Sequence, residues 1–210
     1  MSGLPVLLRG ERVRALVVGG GLVAARKAAA LLESGAAVRL VAAKVSAALR
    51  ELAAGAGGRL ELVERAYESA DVGDANLVVA ATGDRAVNAQ VARDADARGR
   101  LVNVADAPDE GSWTGLATHR AGALVVAVSA GGVPDAARRV RDAIASRFDG
   151  RYAAAVERLA ALRGETLAGH GTATWRAAAA ELAGPTFCDD VERGTFDARV
   201  ERWTAEGAWR

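Results

Sequence analysis

The chain has 210 residues, of which 51% are hydrophobic and only 4% aromatic, and its formal net charge is +1. That length suits one α/β domain with a smaller appendage. The charge balance argues against a general nucleic-acid binder, and no apolar run approaches the ~20 residues of a membrane span. The 27 basic residues comprise 25 arginines and two lysines, a compositional habit that needs no functional reading. One cysteine, Cys188, leaves no intramolecular disulfide and no thiolate metal cluster. It reads as a small core or surface residue rather than a catalytic thiol. Met1 to Leu8 is too short for a signal peptide, so the expectation is a soluble cytoplasmic protein.

In chain order, Leu4 to Leu8 is a short apolar lead-in, an edge strand or a lid over a sheet. Arg9 to Arg12 turns into a first strand, Val13 to Val18, which breaks into Gly19, Gly20 and Gly21. An alanine-rich helix pattern runs from Val23 to Leu32. With Ala24 in the third small position the stretch is G-x-G-x-x-A between a strand and a helix. In that arrangement the first glycine turns the chain and Gly21 admits phosphates where a Cβ would collide. The helix start adds free N–H groups and a partial positive charge. The expected ligand is a dinucleotide pyrophosphate.

Ala37 to Ala42 is the second strand. Its end carries Val41, Ala42, Ala43 and Lys44, with no carboxylate for a ribose 2′-hydroxyl. Lys44 points either to a 2′-phosphate, hence NADP, or to an exposed loop lysine. Ser46 to Ala54 is a helix with Ser46 at its N-cap. Leu60 to Val63 and Leu77 to Ala81 are strands, the latter wholly apolar, as buried parallel strands are. Thr82-Gly83-Asp84 turns into a helix, Arg85 to Arg98. This turn falls on the same sheet edge as the glycine loop, so Thr82 and Asp84 are expected to face the cleft, with Asp84 also suited to cap the helix. Leu101 to Val104 is a fifth strand. Asp106 stands just past it, before Pro108, as either a functional carboxylate or a turn-stabilising side chain. The strand–helix rhythm predicts a doubly wound parallel sheet.

After Pro108 the rhythm changes. Asp109 to Arg120 is polar and contains Trp113 and His119. Ala123 to Ser129 is a strong strand, and Gly131-Gly132-Val133-Pro134 opens a helix, Asp135 to Phe148. That second glycine turn is another candidate anion site, with Arg138, Arg139 and Arg141 either serving it or forming a solvated face. From Arg151 onward the pattern is helical: Ala153 to Leu162, Thr174 to Leu182 and Asp189 to Glu201. Breaks fall at Gly169-His170-Gly171 and Gly184-Pro185. Trp175, Trp203 and Trp209 read as packing residues.

Four motifs in order resemble one family. LPVLLRGERVRALVVGGGLVAARKAAALLESGA, residues 4–36, resembles an opening L-P lead-in followed by V-G-G-G-x-V-A-x-R-K, here Val18 to Lys27. AATGDRAVN (80–88) is similar to A-A-T-x-D-x-x-V-N, NVADAP (103–108) to N-V-x-D-x-P, and AVSAGG (127–132) to an S-x-G-G turn before an arginine-bearing helix. Together, over about 140 residues, they resemble the N-terminal module of siroheme synthase and the stand-alone precorrin-2 dehydrogenases and sirohydrochlorin ferrochelatases.

The resemblance implies an α/β fold with an NAD-binding Rossmann-like parallel sheet (1–112), a dimerisation segment (113–149) and a helical C-terminal region (150–210). It implies NAD-dependent oxidation of precorrin-2 to sirohydrochlorin, with ferrous iron insertion by some members, and a homodimer whose helical part helps close the substrate cleft. By the same resemblance, Gly19, Gly20, Gly21, Leu22 and Val23 form the pyrophosphate loop, and Ala43 and Lys44 the adenosine side. Asp106 matches an aspartate implicated in both dehydrogenation and chelation. A base beside the nicotinamide suits both chemistries, since oxidation releases a proton and metal insertion removes pyrrole protons. For a polycarboxylate substrate, Arg120, Arg138 and Arg139 are reasonable anchors.

The chain departs from the family at three places. Ala130 stands where some relatives carry a phosphorylatable serine, Val133-Pro134-Asp135 replaces the usual S-P, and Leu116 stands where a proline follows Trp113. These departures bear on chelation more than on NAD binding. No His/Cys cluster specifies a resident metal ion. Two other readings stand beside the dehydrogenase: a dinucleotide-sensing regulatory module without chemistry, and a chelatase that has lost the oxidation step.

Overall fold

A computed structural model of the chain describes residues 3–205. Two compact units are present, the first ending at Gly115 and the second beginning at Leu116. The parallel α/β sheet and the helical carboxy-terminal region are those the sequence predicts. No helix among the described residues is long and apolar enough to cross a membrane.

The first unit is a five-stranded parallel sheet of β1 (Arg14–Val18), β2 (Ala37–Ala42), β3 (Leu60–Glu64), β4 (Leu77–Ala80) and β5 (Leu101–Val104). The strand order is β3-β2-β1-β4-β5. Parallel neighbours need crossover connections. Helices α1 (Leu22–Glu33), α2 (Ala47–Gly55) and α3 (Arg85–Asp96) supply three of them, while the β3-to-β4 crossover holds only the 3-10 turn Ser69–Val72. The order reverses direction at β1, which opens a crevice at the carboxyl ends of β1 and β4.

Successive strand side chains point to opposite faces, so each inner strand feeds two cores. Val17, Leu40 and Val79 pack on one face with Ala24, Ala28 and Leu49 of α1 and α2. Leu16, Val78 and Val102 pack on the other with Val91 and Ala95 of α3. Ala24 and Ala28 are fully buried. A larger side chain at either would push α1 off the sheet and displace the turn that precedes it.

The 3-10 turn is pinned by Asp71, whose side chain is only 2% exposed. Arg65 grips it with two hydrogen bonds, Nη1 to Oδ2 at 2.8 Å and Nη2 to Oδ1 at 2.5 Å, and the Glu68 backbone N–H donates to Oδ2 at 2.9 Å. The Arg65 guanidinium, then the Glu68 N–H, outweigh burial and hold the carboxyl below its ordinary range.

The second unit begins with an antiparallel hairpin, β6 (Ala117–Ala121) and β7 (Leu124–Val128), turning at Gly122 with φ +57°. Helices α4 (Pro134–Arg147), α5 (Gly150–Gly169), α6 (Gly171–Leu182), α7 (Phe187–Arg193) and α8 (Phe196–Ala205) follow. Tyr152, Leu162, Leu182, Phe196, Val200 and Trp203 form their core, with Trp175 and Cys188 half-buried against it. The fully buried Tyr152 donates its hydroxyl to Glu192 at 2.8 Å. His119 Nε2 meets the Phe148 carbonyl at 2.6 Å and therefore carries the proton.

Several local expectations are corrected. Leu4 to Leu8 forms no strand; its apolar side chains are exposed, and Pro5 has no N–H to give a ladder. Ser46 does occupy the α2 N-cap position, but its side chain makes no capping bond and its Oγ is buried without a partner. The polar stretch 109–120 contains β6, which pairs with β7 rather than with the parallel sheet. The single helix expected over 189–201 is two, because Gly194 takes a left-handed conformation with φ +71° and ends α7. Trp209 lies outside the described residues.

The Asp71 carboxyl titrates below its ordinary value of 3.8 when folded. It therefore stabilises the fold above that pH, and the contribution is lost as pH falls through the depressed value. Asp71→Asn is expected to lower the urea midpoint at neutral pH, and the gap to wild type should close as the medium is acidified below 3.8. A gap that is constant with pH would show that the charge of Asp71 plays no part.

Candidate functional site

The crevice at the strand ends is a cleft of about 390 Å³, within the size range of small-molecule sites. Its floor is the turn between β1 and α1. Gly19 has φ +135°, a conformation that side chains rarely adopt. A Cβ there would lie 2.3 Å from the Ala81 carbonyl oxygen, and one on Gly20 would lie 1.9 Å from that of Lys44. Three loops thus meet backbone to backbone. Gly21 is different: nothing lies within 4 Å of a Cβ placed on it. Its open side is the approach to the first turn of α1, which has no side-chain cap and no acidic residue. The N–H groups that begin this helix, around Leu22 and Val23, favour an anion. Both side chains are exposed, so the backbone and not the side chains would hold a phosphate.

Ala43 and Lys44 line the wall at the end of β2, as expected, and Lys44 is exposed. Glu64, at the end of β3, is committed elsewhere. Its Oε1 accepts the Val45 N–H at 3.1 Å and its Oε2 accepts Arg50 Nη2 at 2.7 Å. The Arg50 bond, then the Val45 N–H, hold its carboxyl below the ordinary range. Ala66 and Tyr67, which motif reading did not single out, complete this side. Tyr67 donates its hydroxyl to Asp94 Oδ2 at 2.8 Å, and burial, then this bond, push the phenol well above its usual value. It presents a fixed neutral ring.

Thr82, Gly83 and Asp84 line the opposite wall. Asp84 accepts the backbone N–H groups of Ala86 at 2.8 Å and Val87 at 3.3 Å. It is therefore both a cleft residue and the N-cap of α3. One turn on, Asn88 is fully buried. Its Oδ1 accepts the Thr82 N–H at 3.0 Å and lies 2.8 Å from Thr82 Oγ1. Its Nδ2 donates to the Thr82 carbonyl at 3.1 Å and to Asp106 Oδ1 at 3.0 Å. The orientation of the amide is fixed by these partners, since a backbone N–H can only donate and a carbonyl can only accept.

Asp106 stands past the end of β5, beside β4, where the Ala105 N–H donates to the Ala80 carbonyl at 2.9 Å. It does not itself line the cleft; it joins the cleft wall through Asn88 and Thr82. Its side chain is 39% exposed, and Oδ2 has Arg85 Nε at 4.0 Å. Arg85 in turn pairs with Glu110. On the α1 face of the sheet, Lys27 lies over the Trp113 ring, 5.9 Å from its centroid, and burial, then the charge of Arg26, lower its pKa.

The three expected anchors lie in the second unit. Arg120 is exposed on β6, Arg138 is exposed on α4 and pairs with Asp135, and Arg139 is exposed on the same helix. The structure thus gathers the glycine loop, Ala43, Lys44, Thr82 and Asp84 around one cleft and ties Asp106 to its wall. Asn88, Arg85 and Tyr67 were not among the site residues expected from the sequence, although Asn88 closes the AATGDRAVN motif. Asn88 alone carried a signal, four residues after the helix-capping Asp84 and so one helical turn away.

A parallel sheet with a glycine turn at its switch point defines a dinucleotide-binding protein of the Rossmann class. A model of the putative NAD(P)-binding family matches residues 6–115, and the chain belongs to that family. It is 46% identical over 144 residues to siroheme synthase of Pseudomonas fluorescens (strain SBW25), spanning 67% of this chain and 30% of that protein. Siroheme synthase of Pseudomonas aeruginosa (strain UCBPP-PA14) is 46% identical over 142 residues, with the same shares. The chain thus spans about 30% of the length of these relatives. Among solved structures it resembles "SirC, precorrin-2 dehydrogenase", with a TM-score of 0.76 and 27% identity over 95% of this chain and 100% of that one. These findings bear out the resemblance drawn from the motifs.

Gly20 and Gly21 separate fold from binding. Gly20→Ala forces the Lys44 backbone to move and should lower both the melting temperature and NAD⁺ affinity. Gly21→Ala meets no protein atom; it should cost the fold no more than about 1 kcal/mol while weakening NAD⁺ binding about tenfold. Calorimetric titration decides the point: unchanged affinity in Gly21→Ala would show that the phosphates do not pass this residue.

Proposed function

We propose that the chain is an NAD-dependent precorrin-2 dehydrogenase that forms sirohydrochlorin, the macrocycle from which siroheme is made. The observation that carries this reading is a carboxylate, Asp106, tied by one side chain to the wall of a glycine-floored cleft. A dinucleotide sensor has use for the cleft but none for the tethered acid. The printed names of the relatives and of the solved neighbour support the same substrate class.

The residues fit the cofactor. The crossing of backbones at Gly19 and Gly20 keeps side chains off the floor, and Gly21 with the start of α1 would hold the pyrophosphate. Lys44, Ala43 and Tyr67 would face the adenosine. With no acid free at the end of β2, the ribose is held by loop backbone and shape. NAD⁺, when bound, supplies the hydride acceptor. Oxidation of precorrin-2 releases one hydride and one proton, and Asp106 takes the proton at Oδ2, the oxygen that Asn88 leaves free. Arg120, Arg138 and Arg139 attract the acidic side chains of the macrocycle. The working enzyme in this reading is a cytoplasmic homodimer.

Purified protein mixed with precorrin-2 and NAD⁺ should produce NADH and the sirohydrochlorin absorption together; absence of both rejects the proposal. Asp106→Ala is expected to keep NAD⁺ affinity while losing about 100-fold or more in kcat. Intact turnover in that variant would make Asp106 a turn residue. Iron insertion into sirohydrochlorin without NAD⁺, in a protein that forms no NADH, would identify a chelatase instead.

A further inference from the structure

Asp106 is exposed enough to rotate freely, and water could satisfy both of its oxygens. One of them is nevertheless held by a group from the interior. Asn88 uses its whole hydrogen-bonding capacity at this corner: Oδ1 faces the N–H and hydroxyl of Thr82, and Nδ2 faces the Thr82 carbonyl and Asp106 Oδ1. A fully satisfied, fully buried amide has no alternative partners and is stiff. The loop after β4 is held by the bonds of Asn88 to Thr82 and by those between Thr82 Oγ1 and the Asp84 backbone. The remaining N–H is directed to the Asp106 carboxylate, which is partly exposed.

Resting on the dehydrogenase reading above, we infer that Asn88 is a positioning residue for the reaction: its amide fixes the rotation of the Asp106 carboxylate and keeps Oδ2 as the proton-accepting oxygen. The same amide holds Thr82 on the cleft wall, so the acid and the cofactor side of the site share one rigid reference. The other neighbour, Arg85, approaches Oδ2 only to 4.0 Å and is itself engaged by Glu110. It can bias the charge of Asp106 but cannot set its angle.

Asn88→Asp keeps the acceptor for the Thr82 N–H and hydroxyl and removes the Nδ2 donor, and with it the bonds to Asp106 and to the Thr82 carbonyl. In the full chain this variant is expected to fold and to bind NAD⁺ within about threefold of wild type. It should lose about 100-fold in kcat at pH 7 with KM little changed. Two carboxylates side by side should also move the acid limb of the kcat profile upward by about one pH unit. The paired exchange Asn88→Asp with Asp106→Asn reverses donor and acceptor. It should recover the part of the melting temperature that belongs to the bond between positions 88 and 106, the Thr82 carbonyl bond staying lost, while turnover stays as low as in Asp106→Asn alone.

Wild-type kcat and pH profile in Asn88→Asp would overturn the inference. So would NAD⁺ affinity and turnover falling together with the acid limb unmoved, which marks a structural role only. Should Asn88→Asp fail to fold, the paired exchange decides: no recovery of melting temperature means that the bond between positions 88 and 106 does not hold the corner. A wild-type protein that does not oxidise precorrin-2 removes the dehydrogenase reading and this one with it. A wild type that turns over beside an indifferent Asn88→Asp removes this one alone.

Discussion

The first unit depends on two side chains that are not there. At Gly19 and Gly20 the space for a Cβ is filled by the carbonyl oxygens of Ala81 and Lys44. The loops after β1, β2 and β4 therefore cross at the closest distance that backbones allow, and the crossing brings the ends of three strands to one point. Everything the cleft offers follows from that approach. The α1 terminus faces open space over Gly21, the Lys44 wall stands on one side, and the Thr82 turn stands on the other. The hydrophobic faces of the sheet supply stability, but they would do so equally under a blunter turn.

Much of this was legible because the physics is local. A strand–glycine–helix pattern needs few residues to specify, and the wholly apolar LVVA of β4 reads as buried on both faces. Asp84 was legible both as a helix cap and as a cleft residue. What escaped depended on partners distant in sequence. Tyr67 lies in a segment without periodicity, and only the fold brings it to the cleft. Asn88 sat in plain view within the AATGDRAVN motif, yet its meaning required Asp106, eighteen positions on. Asp106 itself was visible as a residue past a strand end; that it stands beside the cleft rather than in its lining was not.

The second unit was harder for a different reason. Its hairpin strand β6, ATHRA, is half polar, and such a strand declares itself only through the partner across the turn. Gly122 at φ +57° is the local device that makes the pairing possible. The split between α7 and α8 rests likewise on one residue, Gly194; helix propensity on both sides is good enough that composition alone favours continuity. In an alanine-rich chain, glycines decide where helices stop, and alanines say little about where they must go.

The tie between the two walls of the corner is also a matter of spacing. Asp84 caps α3 and Asn88 follows on the same face one turn later. Helical residues are separated by about 100° around the axis, so a single inserted or deleted residue between these two would swing the amide toward solvent and leave the carboxylate past β5 untethered. Chain length is therefore under as much restraint here as side-chain identity. Drift by substitution can reach many neighbours of this turn, whereas drift by insertion has to begin beyond it.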